Sequence, residues 1–378
     1  MATPLYVNTA FENGSPLDWD VLDDGTLELR PQFDYEHGPA MNRQLTHWHF
    51  RVHGTKGQTL RLRMAPRENI YGGRRVNAFA KRIGNQMSVD AVNWTPFVFE
   101  QKEDKSIEAT VTLPADVVYI GRIEPYTTKH LGELLARLRG HRHARVDSIG
   151  KTVEGRDLEL ITLSSGAGKP MVFFRGRAHP WEAGGNWFLD GVVEGALASS
   201  AVLDACDIGI LPMAGKDGVV RGQTRFNVNG HDLNRGFTKD YDFGPHNAPE
   251  NQALMEWLKA RQRQGALPLL AIDLHDDDWG NLHVGRMGVD EGYDRRIALL
   301  DQLMRKHTYY TEGMAKGAGS STFGDGLREI FGMDSVVYEL NSNWLAAANC
   351  VPGSAIWREF GAQFARMLVE YVPAVKAG

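Results

Sequence analysis

The sequence predicts an α/β fold in which a mixed sheet is flanked by helices and is preceded by a small all-β sandwich. Residues 1 to about 125 show short β-type runs without a convincing helix, whereas strand-like and helical stretches alternate from residue 126 onward. The chain has 378 residues, which is too many for one ordinary hydrophobic core. We therefore expect an N-terminal domain over 1–125 and a second domain over 126–378.

The N-terminal region contains short runs of alternating or β-branched residues. The clearest runs are 27–30, 47–52, 60–63 and 109–113. Residue pairs that favour tight turns, such as Asp24-Gly25, separate them. Short strands with turn signals between them are typical of an antiparallel sandwich.

The second region begins with a predicted helix, which Thr127 or Thr128 can cap and which continues through Leu138. Predicted strands then alternate with predicted helices. The strands are 158–163, 171–174, 208–211, 269–272 and 336–338, and the helices are 183–198, 249–263, 292–306 and 355–370. This alternation predicts a sheet that is covered by helices on both faces.

Composition and charge narrow the class of protein. Hydrophobic residues make up 42% and charged residues 24% of the chain, which is typical of a globular protein. No apolar run approaches the roughly 18 residues that a bilayer-spanning helix needs, so no membrane partner is expected. The net charge of −5 argues against nucleic acid as a partner.

The chain carries no sign of export. Residues 1–5 lack the basic start and the apolar stretch of a signal peptide. Two cysteines, Cys206 and Cys350, in so long a chain indicate a reducing compartment rather than a disulfide framework. We therefore expect a cytoplasmic protein, and the sequence leaves its oligomeric state open.

Three short segments carry the chemistry: 179–182 (HPWE), 273–275 (DLH) and 338–340 (YEL). Each lies at or just past the end of a predicted strand, where open α/β sheets place their ligand sites. Two imidazoles and a carboxylate suit zinc, and three protein ligands leave one coordination position open for chemistry. The segments predict one Zn²⁺ held by His179, Glu182 and His275, with Glu339 as an independent general base.

Four pieces of the chain, in this order, resemble the zinc metallocarboxypeptidases, and within them the cytosolic carboxypeptidase-like branch. The pieces are 179–182 (HPWE), 227–235 (NVNGHDLNR), 272–275 (IDLH), and 328–330 (REI) shortly before 338–339 (YE). The resemblance covers about 126–375 and implies a zinc carboxypeptidase-like fold there. The β-rich N-terminal region resembles the extra domain of that branch.

The resemblance implies an enzyme that hydrolyses the C-terminal peptide bond of peptides or proteins. It implies that His179, Glu182 and His275 bind the zinc ion and that the zinc-bound water is the nucleophile. Glu339 matches the general base of the family. Arg225 matches the arginine that stabilises the oxyanion of the tetrahedral intermediate.

Further matches concern recognition of the substrate. Asn234 and Arg235 match the pair that holds the terminal carboxylate, which a guanidinium can bind with two hydrogen bonds. Asp232 matches the carboxylate that orients the first zinc histidine. Arg328 matches an arginine associated with acidic side chains, so the resemblance implies a preference for C-terminal Glu or Asp.

Two positions depart from the pattern of the family. The cytosolic branch usually has a further arginine after Ser-Thr in the specificity loop, whereas here an acid, Asp325, follows in 321–326 (STFGDG). A substrate-binding tyrosine is also typical of the family. Tyr309 and Tyr310 are the candidates, although their spacing to Glu339 is longer than the pattern requires.

Two other functions remain open. Aspartoacylase-like amidohydrolases, which act on small N-acyl amino acids, have a similar zinc and Asn-Arg arrangement, but they generally lack an N-terminal sandwich. The second alternative is a catalytically silent binding protein. Such a protein would have no physical need for the combined set of His179, Glu182, His275, Arg225 and Glu339.

Overall fold

The computed structural model describes residues 5–34, 42–317, 319 and 321–377. Residues 1–4, on which the predicted absence of a signal peptide partly rests, lie outside this part of the chain. Among the described residues, no helix is long and apolar enough to cross a lipid bilayer.

Strands make up the N-terminal region. In chain order they are β1 (Tyr6–Asn8), β2 (Leu17–Val21), β3 (Leu27–Pro31), β4 (His49–His53), β5 (Thr59–Met64), β6 (Glu68–Tyr71), β7 (Arg74–Asn77), β8 (Arg82–Ser88), β9 (Trp94–Gln101), β10 (Ile107–Thr112) and β11 (Val117–Gly121). All except β6 and β7 join one sheet in the order β1-β4-β11-β8-β9-β10-β5-β3-β2. Where a sandwich was expected, hydrogen bonding continues from strand to strand, and the sheet curls nearly into a barrel.

Alternation along these strands separates the core from the surface. Leu60, Leu62 and Met64 of β5 are buried. Between them, Arg61 and Arg63 pair with acidic residues of the neighbouring strands. The period of two in the sequence therefore places one face of the strand in the hydrophobic core and the other against solvent.

Helices and strands alternate in the second region. They are α1 (Thr128–Leu138), β12 (Ala144–Lys151), β13 (Asp157–Leu163), β14 (Met171–Gly176), α2 (Ala183–Ala198), α3 (Ser200–Ala205), β15 (Asp207–Leu211), α4 (Lys216–Arg221), α5 (Pro249–Arg263), β16 (Leu270–Asp277), β17 (Leu282–Val284), α6 (Glu291–His307), β18 (Met314–Lys316), α7 (Phe323–Phe331), β19 (Asp334–Asn341) and α8 (Ser354–Ala377). The predicted helices 183–198 and 249–263 coincide with α2 and α5. The predicted fold class, with an all-β region ahead of an α/β region, is confirmed.

The sheet of the second region has the order β12-β13-β15-β14-β16-β19-β17-β18. Its central strands β15, β14, β16 and β19 run parallel. All six residues of β14 are buried, as expected for a strand covered on both faces. Parallel pairing brings the carboxyl ends of these strands to one edge, where His275 of β16 lies directly opposite Glu339 of β19.

The N-terminal sheet packs against this edge of the second region. The backbone N–H of Asn13 donates to Val220 O at 3.1 Å, in the last turn of α4. The buried Arg122 donates to Asp278 at 3.0 Å and to Asn343 at 2.6 Å. These contacts place N-terminal residues close to the carboxyl ends of the parallel strands.

Candidate metal centre and active site

The first two candidate ligands lie in the turn between β14 and α2. Arg177, before the turn, has a φ of +59°, which is uncommon for a residue other than glycine. Its buried guanidinium donates to Pro180 O at 2.6 Å and to Asn186 Oδ1 at 2.7 Å. These hydrogen bonds fix the turn, with His179 at one side of it and Glu182 at the start of α2.

The third candidate, His275, is carried by β16 and faces the same point. His179 Nδ1 lies 2.7 Å from Glu182 Oε1, and His275 Nδ1 lies 2.8 Å from Glu182 Oε2. The two Nδ1 atoms are 3.1 Å apart. Three buried ligand atoms thus converge on one small volume.

The donor set fits zinc. A tetrahedral zinc ion with ligands at about 2.0–2.1 Å holds its ligand atoms roughly 3.4 Å apart, close to the spacing of the two imidazole nitrogens. The two Nδ1 atoms face each other at 3.1 Å. A cation bound between them would accept the lone pairs of both nitrogens. His179, Glu182 and His275 are therefore the residues that would hold the ion.

A carboxylate contacts the Nε2 atom of each histidine, on the side of the ring away from the candidate metal position. His179 Nε2 lies 3.0 Å from Asp232 Oδ1, as the resemblance predicted, and His275 Nε2 lies 2.7 Å from Asp273 Oδ2. A carboxylate on Nε2 fixes the ring and leaves Nδ1 for a metal. The role of Asp273 was not predicted from the sequence, although its position two residues before His275 on the same face of a strand could have indicated it.

Neighbouring basic groups lower the pKa values of the buried carboxyl groups in this cluster. Burial alone would raise the pKa of Glu182, but His179 and His275 outweigh burial and lower that pKa to about 2. The pKa of Asp232 is held well below its usual range because Arg225 and His179 outweigh the effect of burial. Both groups are therefore carboxylates at neutral pH, as ligation and orientation require.

Glu339 faces the metal ligands from β19 without joining them. Its Oε2 is buried and has no hydrogen-bond partner among the described residues. Burial, reinforced by the charge of Asp277, raises its pKa well above the usual range. An unpartnered carboxyl group with a raised affinity for protons, beside a metal site, is suited to act as a general base.

Arg225 lies beside the metal ligands and is 4% exposed. Its Nε donates to Asp232 Oδ2 at 2.8 Å, and one terminal nitrogen donates to Gln44 Oε1 at 3.0 Å. A guanidinium carries five N–H donors, so some remain to interact with a bound substrate. The contact with Gln44 comes from the N-terminal region and was not predicted from the sequence.

Asp34 anchors the backbone around Arg225. Its Oδ1 accepts the N–H of Thr224 at 2.7 Å, and its Oδ2 accepts the N–H groups of Arg225 and of Phe226, the latter at 3.1 Å. The side chain of Asp34 crosses from the N-terminal region and is buried. Nothing local in the sequence indicates this role, because the partners are about 190 positions away.

A single cavity of about 350 Å³ joins these groups. His179, Glu182, Arg225 and Glu339 line it, together with Asn234 and Arg235. The amide Nδ2 of Asn234 lies 3.1 Å from His275 Nε2, and its Oδ1 accepts the N–H of Phe323 at 2.9 Å. The structure therefore brings together, in or beside one cleft, every site residue predicted from the sequence except Arg328 and the two tyrosine candidates.

Comparison with known proteins agrees with this geometry. Residues 134–276 match a family model, Peptidase_M14, described as zinc carboxypeptidase. This part of the chain is a zinc carboxypeptidase domain. The resemblance indicated by the motifs is thereby confirmed, and zinc is the metal of this family.

A curated relative is much longer than this chain. The chain is homologous to cytosolic carboxypeptidase 1 of Xenopus laevis, with 24% identity over 293 residues. The match covers 68% of this chain and 22% of that protein, so the chain spans about a fifth of the relative's length.

Two solved structures share the fold over nearly the whole chain. A metallo-carboxypeptidase from Burkholderia cenocepacia has a TM-score of 0.80 at 20% identity and covers 98% of this chain and 99% of its own. A metallo-carboxypeptidase from Pseudomonas aeruginosa, in complex with (2-guanidinoethylmercapto)succinic acid, has a TM-score of 0.76 at 17% identity and covers 98% of this chain and 100% of its own. The shared fold therefore includes the N-terminal sheet as well as the carboxypeptidase domain.

The structure does not bring Arg328 to the cleft. Arg328 lies on α7, where it donates to Asp290 at 3.1 Å and is 3.6 Å from Asp334. Its guanidinium also covers the ring of Tyr293, 3.5 Å from the ring centre. These three contacts hold the side chain away from the residues that line the cleft, so its predicted role in binding an acidic substrate gains no support.

The two tyrosine candidates also lie away from the cleft. Tyr310 is fully buried, and its hydroxyl donates to Asp301 Oδ1 at 2.9 Å. Tyr309 packs against Phe360 of α8. Neither lines the cleft, because the chain after α6 leads both rings into the hydrophobic core.

Replacing Asp34 with asparagine tests the anchor of the Arg225 backbone. The amide keeps the shape but removes one acceptor oxygen, which leaves buried N–H groups unsatisfied and should cost about 1–3 kcal/mol in the free energy of unfolding. Urea unfolding measures this loss. The matched control is Asp24→Asn, an exposed aspartate that accepts the N–H of Thr26 at 2.9 Å. Equal stability of the two variants would contradict the anchor.

Proposed function

We propose that this protein is a zinc-dependent metallocarboxypeptidase that hydrolyses the C-terminal peptide bond of peptides or proteins. One observation carries the proposal. The cavity that holds the metal-binding residues and the unpartnered Glu339 is also lined by Asn234 and Arg235, groups that can bind a free carboxylate. A substrate whose terminal carboxylate occupies this corner would present its last peptide bond to the metal site.

The proposed mechanism divides the chemistry between the metal and the chain. Zinc, when bound, supplies Lewis-acid chemistry that polarises the scissile carbonyl and lowers the pKa of a water molecule. Glu339 takes a proton from the attacking water and delivers it to the leaving amine. Its position opposite His275 and the lack of a hydrogen-bond partner for its Oε2 among the described residues support both transfers.

Arg225 stabilises the negative charge that develops on the former carbonyl oxygen. Asp232 and Gln44 hold the guanidinium in place before substrate arrives. A cation that is already oriented need not reorganise during the reaction, which makes this type of stabilisation one of the larger contributions to catalysis. Asp232 also contacts His179, so one carboxylate positions both the arginine and a metal ligand.

The preference of the enzyme for particular C-terminal side chains is a separate proposal. The implied preference for Glu or Asp has little support, since Arg328 is engaged outside the cleft. Three consecutive acids, Asp276, Asp277 and Asp278, also line the cavity. A structural neighbour has been solved with a succinic acid derivative, which supports carboxylate binding in this fold but does not assign a side-chain preference.

We also propose a cellular setting. The word cytosolic in the name of the Xenopus laevis relative supports the predicted cytoplasmic location. The proposed partner is a peptide or protein with a free carboxyl terminus.

A set of matched substrates tests the function. Zinc-loaded protein is incubated with peptides that end in Glu, Leu or Lys, each as the free acid and as the amide, and with N-acetyl amino acids. Mass spectrometry should show loss of single residues from the free acids alone. Turnover of only the N-acetyl amino acids would support the aspartoacylase-like alternative. Zinc-loaded protein that turns over no substrate would support the silent binding protein.

Replacing Arg235 with leucine should weaken recognition of the terminal carboxylate. Loss of a hydrogen bond to a charged group costs about 1.5–3 kcal/mol, so kcat/KM for a free-acid peptide should fall by about 10- to 150-fold. Steady-state kinetics measure the change, and Arg142→Leu, at an exposed arginine outside the cleft, is the control. An unchanged kcat/KM in the Arg235 variant would show that the carboxylate binds elsewhere.

A further inference from the structure

One tyrosine does line the cleft, and it comes from the N-terminal region. Among the described residues that line the cavity, Tyr71 is the only tyrosine. It ends β6, the first strand of the β6–β7 hairpin, which lies outside the nine-stranded sheet. The residue is 39% exposed, which is a large exposed fraction for an aromatic residue beside a buried candidate site.

The backbone holds the tip of this hairpin in place. Gly72 and Gly73 have φ values of +56° and +76°, as a two-residue hairpin turn requires. The N–H of Gly72 donates to Asn42 Oδ1 at 2.9 Å, and Arg43 and Ile70 exchange two backbone hydrogen bonds of 2.9 Å. The position of Tyr71 at the cleft is therefore defined by the adjoining segment of the N-terminal region.

The hydroxyl of Tyr71 has one described hydrogen bond, in which it is the acceptor. Gln44 Nε2 donates to Tyr71 Oη at 2.6 Å, while Gln44 Oε1 accepts from Arg225 at 3.0 Å. The phenol proton has no acceptor among the described residues. Burial raises the pKa of Tyr71, while the hydrogen bond from Gln44 and the charge of Arg225 lower it to a smaller extent, so the hydroxyl retains its proton at neutral pH.

A chain of contacts links this hydroxyl to the metal ligands. It passes from Tyr71 through Gln44 to Arg225, then through Asp232 to His179. Tyr71 and Arg225 therefore share one positioning side chain and line the same cavity. A substrate oxygen bound beside Arg225 would give the phenol proton an acceptor.

We propose that Tyr71 is a substrate-binding residue that donates a hydrogen bond to the substrate peptide beside Arg225, and that Gln44 positions the two side chains together. The N-terminal region thus completes the active site of the carboxypeptidase domain. The bond is made to an oxygen at the scissile peptide unit. The terminal carboxylate stays with Asn234 and Arg235. This inference rests on the proposed peptidase function.

The fold does not need this hydroxyl. Its one described partner, Gln44, is half-buried, and removal of a partly exposed hydroxyl at a hairpin tip disturbs little packing. Tyr71→Phe should therefore keep the melting temperature and the zinc content of the unmodified protein. Tyr6 provides a matched control, because it lies on β1 of the same region, is 38% exposed and stacks on His53 away from the cleft.

The experiment compares Tyr71→Phe and Tyr6→Phe in the full chain loaded with zinc. Tyr71→Phe should lower kcat/KM for a free-acid peptide about tenfold, the effect of one lost hydrogen bond of ordinary strength. It should weaken inhibition by a phosphinic peptide by a similar factor, because the tetrahedral phosphorus group places its oxygens where those of the reacting peptide unit lie. Inhibition by the free amino acid product, which engages Asn234 and Arg235, should not change. Tyr6→Phe should match the unmodified protein in all three measurements.

Two results would overturn the inference. An unchanged kcat/KM in Tyr71→Phe, with an active parent protein, would show that the hydroxyl does not contact the substrate. A loss confined to binding of the amino acid product would place Tyr71 at the terminal carboxylate and not beside Arg225. An unmodified protein without peptidase activity would instead refute the proposed function, so the two failures are distinguishable.

Discussion

Replacing His275 with alanine is expected to abolish both zinc binding and hydrolysis. His275 supplies one of three ligand atoms, and its ring is held by Asp273 on the side away from the metal. Loss of a residue that only orients a ligand typically costs about 10- to 100-fold in metal affinity, so loss of the ligand itself should cost more. Metal analysis after dialysis should find the purified variant free of zinc. Turnover should fall below detection.

The same experiment has a matched control and a thermal readout. His307, at the end of α6, also faces a carboxylate, with its Nε2 2.7 Å from Glu370 Oε2. It is not among the residues that line the cleft. His307→Ala should keep zinc and activity. Added zinc should raise the melting temperature of the unmodified protein and of His307→Ala, because a ligand that binds the folded state stabilises it. A comparable rise in His275→Ala would refute the assigned ligand set.

Replacing Glu339 with glutamine is expected to separate chemistry from metal binding. The amide has nearly the same shape but cannot accept a proton from water, and general base catalysis typically contributes about 10²- to 10⁴-fold. The turnover number kcat should fall by that factor, while zinc content stays at one ion per chain and KM changes little. Stopped assays with long incubation times measure so slow a rate.

The control for this substitution is a glutamate outside the cleft. Glu359 lies on α8 and pairs with Arg366 at the surface, so Glu359→Gln should leave kcat unchanged. Loss of zinc from the Glu339 variant would show that this carboxylate is a ligand. Retained activity would require another residue to serve as the base.

Local patterns in the sequence predicted much of the fold. Helices α2 and α5 coincide with their predicted ranges, and the buried strand β14 was recognised from its apolar run. Such predictions succeed because the spacing of apolar side chains reflects which face each element buries. The single sheet of the N-terminal region was not predicted, because pairing between distant strands leaves no local trace.

The metal-binding residues could be predicted for a similar reason. His179 and Glu182 lie within one turn, and the carboxyl ends of β14, β16 and β19 must meet wherever these strands run parallel. The family match then confirmed the resemblance that the motifs indicated. The position of Arg328 could not be derived in this way, because its direction depends on Asp290, Asp334 and Tyr293 in other elements.

The sequence by itself predicted the α/β fold class, the candidate metal-binding set and the candidate base, since each depends on residue type and on order along the chain. Only the tertiary structure decided what surrounds that set. It brought Gln44 and Tyr71 from the N-terminal region to the cleft, set Asp34 against the backbone beside Arg225, and left Arg328, Tyr309 and Tyr310 outside the cleft. The physical reason is that these positions follow from contacts between residues far apart in the chain, which arise only when the two regions pack together.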